Sequence, residues 1–180
     1  DTQFMWKDFQ EKYNGELIGN LGNLVNRTLT FVSRYFDGKI PEGIVDEALW
    51  QQVKASEEKI TNLLEWAELK DAFREIFALS SIANKAFQDG EPWKTRTTEP
   101  EKAASLIMNL CYVIKDLMIL AHPYMPHFTE LVMSYFGKKI ASPLSHCPAE
   151  AGSLTWNDLG QCNGLETVCA PEIYFKTMDD

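Results

Sequence analysis

Apolar residues recur at intervals of three or four along most of the chain, which is the spacing of helices with one buried face. The first such stretch, residues 3–36, predicts one helix or two helices in series. Its apolar positions are Leu17, Leu21, Leu24, Phe31 and Tyr35. Asp37, Gly38 and Pro41 follow, and this order of residues predicts the end of the helix.

Two further helices are predicted by the same spacing. The second begins after Asp46, whose carboxylate can accept a hydrogen bond from a backbone N–H of the first helical turn. The third runs from about Glu68 to about Gln88 and is ended by Gly90 and Pro92. Both stretches are long enough to bury an apolar face in a helical bundle.

A polar segment, residues 88–101, is predicted to be a loop before the fourth helix. Thr98 and Glu101 have the spacing of a capping box, in which each side chain binds a backbone N–H group at the start of a helix. The fourth helix is predicted to run from there to about Ala121. A fifth helix follows a proline-rich turn and is predicted to end at Gly137.

Residues 138–180 are rich in proline, glycine, serine and asparagine and show no long helical stripe. Trp156, Leu159 and residues 173–175 are the apolar groups expected to hold this tail against the helices. The sequence therefore predicts an all-α fold, with a bundle of about five helices over residues 1–137. Residues 138–180 are predicted to form an irregular C-terminal tail that packs on the same domain.

Composition limits the class of protein. The 180 residues are 45% hydrophobic, which suffices for one domain with a sizeable core. No run of about 18 apolar residues occurs, so no membrane partner is expected, and no secretion signal is visible at the N-terminus. The four cysteines form no Cys-x-x-Cys pair, so we expect reduced thiols, no metal site and a cytoplasmic location. Because the chain begins with Asp1, we expect it to be part of a longer protein.

The net charge of −9 disfavours an anionic partner, but the charge is unevenly distributed. Residues 42–75 carry 9 acidic and 4 basic side chains, and residues 149–180 carry 6 acidic and 1 basic. Residues 1–41 are balanced at 5 and 5, and residues 76–148 carry 7 basic and 6 acidic side chains. An anionic partner is therefore expected to meet the first and third of these parts, without a strong general field.

The first helix also carries a polar stripe that a core does not require. Its members are Asn20, Asn23, Arg27, Thr30 and Arg34, beside Gly19 and Gly22. Glycine inside a helix costs up to about 1 kcal/mol relative to alanine, and asparagine is also disfavoured. Glycine does allow another helix or a ligand to approach the backbone closely. The stripe is therefore either a solvated face with local hydrogen bonds or a binding surface.

Trp93 lies in the polar segment, between Pro92 and the cations Lys94 and Arg96. A tryptophan in such a place either folds onto the core as a lid or stays exposed as a stacking platform. Unpaired RNA bases are bound by aromatic faces, by arginine planes and by side chains that hydrogen-bond base edges. RNA is therefore one candidate partner for this segment.

The two features together give the chain a resemblance to the helical anticodon-binding domain of methionyl-tRNA synthetases. Asn23-Leu24, Arg27, Phe31 and Phe36-Asp37-Gly38 are similar to the first helix of that family. Pro92-Trp93-Lys94 is similar to the family's Pro-Trp loop, and residues 122–132 resemble the turn before its last long helix. The ending EIYFKTMD resembles the C-terminus of the family's core. The resemblance covers residues 4 to about 137 and this ending.

The resemblance implies a role for each of these residues. Asn23 and Arg27 would hydrogen-bond the edges of anticodon bases, Trp93 would stack on the first anticodon base, and Pro92 would shape the loop. Further candidates for RNA contact are Asn20, Arg34, Lys94 and Arg96. The implied partners are the anticodon loop of methionine tRNAs, with the sequence CAU, and the catalytic domain of the parent chain. That parent would use ATP to join methionine to tRNA.

No catalytic residue, cofactor or metal is expected in the chain itself. The His-Ile-Gly-His-like and Lys-Met-Ser-Lys-Ser-like motifs, which bind ATP in these synthetases, do not occur. His122 and His127 flank a proline-rich turn and are expected to be structural. His146 lies beside Cys147, but this pair alone supports neither a nucleophile nor a metal site.

Two alternatives to the methionyl family stay open at this point. One is the corresponding domain of another class I synthetase, which the combination of Asn23, Arg27 and the Pro92-Trp93 pair disfavours. The other is a helical protein-interaction module in which Trp93 is an interface anchor.

Overall fold

The computed structural model describes residues 7, 11, 13–141 and 152–171, and there the helical spacing of apolar residues forms six α-helices. They are α1 Asn23–Tyr35, α2 Glu47–Glu65, α3 Leu69–Gly90, α4 Pro92–Thr98, α5 Pro100–Ala121 and α6 Pro126–Tyr135. The predicted all-α bundle is thereby confirmed. It has one helix more than expected, because α4 was predicted to be a loop.

The first predicted helix consists of two segments in series. Tyr13–Gly22 is π-helical and continues directly into α1. The helix ends as predicted, because Asp37 and Gly38 have φ angles of 50° and 71°. The Gly38 N–H donates to Val32 O at 3.2 Å, which satisfies a carbonyl of the last helical turn. Residues 3–6, 8–10 and 12 of the predicted helix lie outside the described residues.

Asp46 begins α2 as predicted, since its Oδ1 accepts a hydrogen bond from the Leu49 N–H at 3.1 Å. The third predicted helix is also confirmed, as α3. It ends at Gly90, and Glu91 follows with a φ of 40°. Pro92 then starts α4 at the first helical position, where a missing N–H group costs nothing. Most of the predicted loop over residues 88–101 is therefore helical.

The predicted capping box of Thr98 and Glu101 is wrong. Thr98 is the last residue of α4, and Glu99 is the residue that precedes α5. Pro100 sets this boundary, because proline disfavours helical backbone in the residue before it. Glu99 accordingly has φ −140° and ψ 67°, and no side chain caps the first turn of α5.

The centre of the fold is α5, which contacts every other α-helix. All its residues from Ile107 to Ala121 are buried. By length and composition α5 could also cross a membrane, but 83% of its most apolar window is buried inside the protein. This burial is that of the core helix of a bundle.

Residues 152–171 of the tail pack on the bundle through backbone hydrogen bonds. The Ile40 N–H donates to Glu166 O at 2.9 Å, and the Val168 N–H donates to Gly38 O at 2.7 Å. Leu165 and Val168 are buried against the helices. The predicted docking of an irregular tail is therefore confirmed for this part. Leu159 packs against the core as predicted, and residues 173–175 lie outside the described part of the tail.

Two buried charges of α5 hold a turn of the tail. Lys115 Nζ donates to the backbone carbonyl oxygen atoms of Asp158 and Gln161, the latter at 2.8 Å. Asp116 Oδ2 accepts a hydrogen bond from the Gly160 N–H at 3.0 Å. The two side chains also form an ion pair of 3.0 Å. Buried charges require such partners, so the turn completes the core as well as covering it.

Glu57 joins this buried group, and its ionisation should make the stability of the fold depend on pH. Burial, together with the hydrogen bond to Asp116, raises the pKa of Glu57 to about 8 from its ordinary value of 4.5. Between these two pH values the folded chain keeps a proton that the unfolded chain loses. The free energy of unfolding should therefore fall as the pH rises from about 4.5 to about 8.

The variant Glu57→Gln cannot ionise and should lose this part of the pH dependence. Urea unfolding from pH 5 to pH 8 should show that it is more stable than the parent at pH 8. Glu58→Gln changes an exposed neighbour and should follow the parent curve. If Glu57→Gln showed the parent's pH dependence, Glu57 would not be protonated in the folded chain.

Candidate nucleic-acid interface

The structure divides the polar stripe into a structural part and an exposed part. Asn20, in the π-helical segment, faces α3 and donates to Phe77 O at 3.0 Å and to Ser81 Oγ at 2.9 Å. Asn84 Nδ2 donates in return to Asn20 O and Oδ1, at 2.9 Å and 3.0 Å. The amide of Asn20 is thus engaged within the protein. Asn20 therefore ties the π-helical segment to α3, and a contact of Asn20 with RNA stays a prediction.

Asn23 begins α1 and is partly exposed. Its side chain makes no hydrogen bond to any residue that the structure describes. Thr30, further along the helix, donates to Asn26 Oδ1 at 3.3 Å, which is a local contact. Arg34 is exposed in the last turn of α1, where a positive charge complements the helix dipole. The exposed part of the stripe thus begins at Asn23 and continues through Arg27 to Arg34.

Arg27 is held in position by two residues of α3. Its Nη2 donates to Gln88 Oε1 at 3.1 Å, and its guanidinium carbon lies 4.2 Å from the centroid of the Phe87 ring. Burial lowers the pKa of Arg27, but a guanidinium stays protonated in proteins. Arginine has five N–H donors, so the group keeps donors for a base edge or a phosphate after binding Gln88.

Trp93 contacts the same phenylalanine ring. The ring centroids of Trp93 and Phe87 are 6.0 Å apart, with 30° between their planes. The indole is 38% exposed, whereas Pro92 before it is buried at the start of α4. One part of the indole therefore packs on the protein and another part is open. This arrangement suits a stacking platform better than a closed lid.

The aromatic row continues from Phe87 to the end of α1. Phe87 meets Phe31 edge-on at 6.2 Å, and the ring centroids of Phe31 and Tyr35 are 4.6 Å apart. The guanidinium carbon of Arg96 lies 4.3 Å from the centroid of the Tyr35 ring. Trp93, Phe87, Phe31 and Tyr35 therefore form a row of four rings, called here the aromatic row. An arginine contacts it at Phe87 and another at Tyr35.

Lys94 and His122, two other candidates from the sequence, have partners within the protein. Lys94 Nζ pairs with Glu91 Oε1 at 2.7 Å on the exposed surface of α4, and such pairs are weak in water. His122 is buried, with its Nδ1 2.8 Å from Thr129 Oγ1, as a structural histidine is expected to be. His146 and Cys147 lie outside the described ranges. Over the described ranges, no three His, Cys, Asp or Glu side chains are close enough to hold a metal.

Three residues of the site were not identified from the sequence as functional. The sequence places Phe87 and Tyr35 on apolar stripes, and Gln88 at the end of a helix. Nothing in their spacing showed that the second half of α1 would lie beside the end of α3. The available signal in the sequence was Gln88, a polar residue next to the last apolar residue of α3. Such a residue is too common to indicate a binding site.

Comparison with known proteins shows to which family the chain belongs. Residues 39–180 match a family described as the anticodon-binding domain of methionyl-tRNA ligase. The chain belongs to this family. Residues 1–29 match a second family, described as class I tRNA synthetases (M). Pro92 and Trp93 lie within the anticodon-binding match, residues 39–180. Asn23 and Arg27 lie within the match to class I tRNA synthetases, residues 1–29.

Curated relatives of the domain are named methionine–tRNA ligase. The relative from Treponema denticola is 53% identical, and the match covers 100% of this chain and 25% of the relative. The relative from Treponema pallidum is 41% identical, with 99% and 25% covered. The chain therefore spans about a quarter of the length of these relatives.

A solved structure shares the fold. The crystal structure of the apo form of methionyl-tRNA synthetase from Mycobacterium tuberculosis matches with a TM-score of 0.81 at 19% identity. The match covers 98% of this chain and 35% of that one. The bundle and its tail together correspond to a known architecture.

The two asparagines at the start of the stripe should differ in their effect on stability. Asn20→Ala removes several hydrogen bonds and leaves the Asn84 amide with a lost acceptor, so it should lower the free energy of unfolding by about 1–3 kcal/mol. Asn23→Ala, three residues further on, should change it by less than about 0.5 kcal/mol. Urea unfolding at pH 7 measures both. A larger loss for Asn23→Ala would reverse the two assignments.

Proposed function

We propose that the domain recognises the anticodon loop of methionine tRNAs, with the anticodon CAU, through Asn23, Arg27 and Trp93. One observation carries the proposal: the Phe87 ring supports both the Arg27 guanidinium and the Trp93 indole. A fork of hydrogen-bond donors therefore lies beside an exposed aromatic face. Unpaired RNA bases require this combination, because their edges are read by hydrogen bonds and their faces by stacking.

The chemistry of each side chain fits one part of such a base. Arg27 donates hydrogen bonds in a fixed plane, and its position is restricted by Gln88 and Phe87 before the RNA arrives. Asn23 has an amide that both donates and accepts, so it can distinguish bases by their edges. Trp93 supplies a face on which any base stacks, and the first anticodon base is the one proposed. Pro92 fixes the start of the helix that carries this indole.

Among the further candidates, Arg34 and Arg96 are retained as supporting contacts. Lys94 is a weaker candidate, because an RNA phosphate would have to compete with Glu91 for its ammonium group. The domain carries a net charge of −9, so phosphate contacts contribute little general attraction. Base contacts are therefore proposed to supply most of the selectivity.

The domain is further proposed to act as the tRNA-recognising part of a longer methionine–tRNA ligase. The chain covers about a quarter of the length of its relatives of that name. A catalytic domain elsewhere in the parent chain would use ATP to join methionine to the bound tRNA, in the cytoplasm. No reaction is assigned to the residues of this chain, whose partners are the tRNA and that catalytic domain.

Substitution of the two polar residues tests base recognition. Arg27→Ala and Asn23→Ala should each weaken binding to a CAU anticodon stem-loop by about 1–3 kcal/mol, the usual cost of a lost base-edge contact. Each should also reduce the preference for CAU over a stem-loop with a changed first base. Fluorescence anisotropy of labelled stem-loops at fixed salt measures both quantities.

The control for this test is Lys70→Ala. It removes a positive charge from the far end of α3, about 27 Å from Gln88 by the helical rise. It should leave both the affinity and the base preference unchanged. If Arg27→Ala weakened all stem-loops equally, the guanidinium would be a phosphate contact and its assignment to a base edge would be wrong.

Substitution of Trp93 separates a platform from a lid. A half-open indole should cost less than about 1.5 kcal/mol of folding stability when replaced by alanine, whereas a buried aromatic costs about 3–5 kcal/mol. CAU stem-loop binding should fall by about 1–3 kcal/mol in Trp93→Ala, the worth of one stacked base. Trp93→Phe should keep part of the binding, because a smaller ring still stacks.

The matched control is Trp66→Ala, which removes an indole that is 80% exposed at the end of α2. It should leave RNA binding unchanged. A large drop in the melting temperature of Trp93→Ala, with unchanged RNA affinity, would identify Trp93 as a lid and remove it from the interface.

A further inference from the structure

A second pair of an arginine and an exposed aromatic ring lies at the far end of the aromatic row from Trp93. Tyr35, the last residue of α1, is 44% exposed. Arg96, in the last turn of α4, places its guanidinium carbon 4.3 Å from the centroid of the Tyr35 ring. The proposed contacts of Arg27 and Trp93 do not use this pair.

Arg96 of this pair has no acidic partner in the described part of the chain, and neither has Arg34. Arg96 and the neighbouring Arg34 make no ion pair there, whereas Lys94 is paired with Glu91 and Lys102 with Glu99. Arg96 and Arg34, which precedes Tyr35 in the sequence, are therefore two exposed guanidinium groups with no acidic partner in the described residues. An anionic ligand is the complement of such a site.

A purely structural role explains little of this arrangement. The pair joins α1 to α4, but a cation–π contact between exposed side chains contributes little to stability. Tyr35 is 44% exposed and Arg96 is also exposed, and Tyr35 packs on Phe31 alone among the rings of the row. The contact therefore orients the Arg96 guanidinium over the Tyr35 ring and leaves the guanidinium exposed.

We propose that Tyr35 and Arg96 form a second stacking site, which binds an unpaired nucleotide of the same RNA strand that contacts Trp93. The inference rests on the proposed function of the domain. The Arg96 guanidinium lies between the Tyr35 ring and the base, since arginine planes stack on unpaired bases. The N–H groups of Arg34 and Arg96 bind the adjoining phosphate, whose geometry suits a guanidinium.

The distances along the aromatic row agree with one continuous strand. From Trp93 to Tyr35 the successive ring centroids are 6.0, 6.2 and 4.6 Å apart. Stacked nucleotides rise about 3.4 Å each, so about five stacking steps or fewer span the whole row. An anticodon and its flanking nucleotides have that length. The second site would therefore hold a nucleotide of the loop other than the first anticodon base.

The test measures binding of CAU stem-loops in which each loop nucleotide in turn lacks its base. With the intact stem-loop, Tyr35→Ala and Arg96→Ala should each weaken binding about five-fold or more. Both should keep the preference for CAU over a changed first base. At one loop position, removal of the base should make these variants and the parent chain bind with equal affinity. That position should differ from the position to which Trp93→Ala is sensitive.

Conservative variants provide the controls. Tyr35→Phe keeps the ring and should bind within two-fold of the parent. Arg96→Lys keeps the charge but should lose the part of the affinity that depends on the base at the second site. These variants also keep the test decisive if Tyr35→Ala lowers the melting temperature, because Arg96 can be changed without altering the row of rings. A melting-temperature loss with unchanged RNA affinity would assign the pair to stability and overturn the inference.

The remaining outcomes separate this inference from the proposed function. If Trp93→Ala and Arg27→Ala lose binding while Tyr35→Ala and Arg96→Ala stay within two-fold, the second site is wrong and the anticodon interface stands. If the Tyr35 and Arg96 variants lose the same affinity at every abasic position, they provide general charge and not a stacking site. If none of the four variants changes RNA binding, both proposals fail.

Discussion

The burial of every residue of α5 from Ile107 to Ala121 is the constraint on which the rest of the structure depends. A helix buried on every side must provide partners for its own polar residues, because an unpaired buried polar group is costly. Asn109 meets this need with α2 and the chain before it: its Oδ1 accepts from Trp50 Nε1 in α2 at 2.8 Å, and its Nδ2 donates to Ile44 O at 2.8 Å. Lys115 and Asp116 meet it with the tail. The polar residues of α5 therefore hold two irregular segments in place, the connection before α2 and the turn of the tail.

The close approach of these segments restricts the residues that can form them. A Cβ atom at Gly43 would lie 2.5 Å from the Cα atom of Ser105 in α5, so a larger residue would push the connection away. Gly38 meets the tail in the same way, with its Cβ position 2.8 Å from Val168 O. Both glycines lie between α1 and α2. They let the chain leave α1 along the surface of α5, and this path leaves Tyr35 at an exposed helix end.

Asn20 and Asn23, both disfavoured inside a helix, have two separate explanations. Asn20 ties the π-helical segment to α3, whereas Asn23 and Arg27 lie beyond it on a regular α-helix. The structural bonds hold the start of α1 against α3, and Phe87 and Gln88 further along α3 then receive Arg27. The same pairing of two helices thus supplies stability at one end and the candidate interface at the other.

The helices could be predicted from the sequence because their apolar spacing is regular and their ends carry capping residues, as Asp46 shows. The short helix α4 could not, because seven residues with proline and three threonines show no helical period. α-Helical spacing groups Asn20 with Asn23, but a π-helix has a wider turn and rotates its side chains differently. The support of Arg27 by Phe87 required the packing of α1 on α3, which local sequence does not encode.

The charge distribution connects this architecture to selectivity. Residues 42–75, with 9 acidic and 4 basic side chains, include all of α2, and α2 provides no residue of the candidate interface. The interface has three arginines, of which Arg27 is bound to a neutral glutamine and not to a carboxylate. A neutral partner orients the guanidinium without cancelling its charge. Because the chain as a whole repels a polyanion, an RNA gains little from phosphate contacts alone, and the contacts with its bases must decide whether it stays bound.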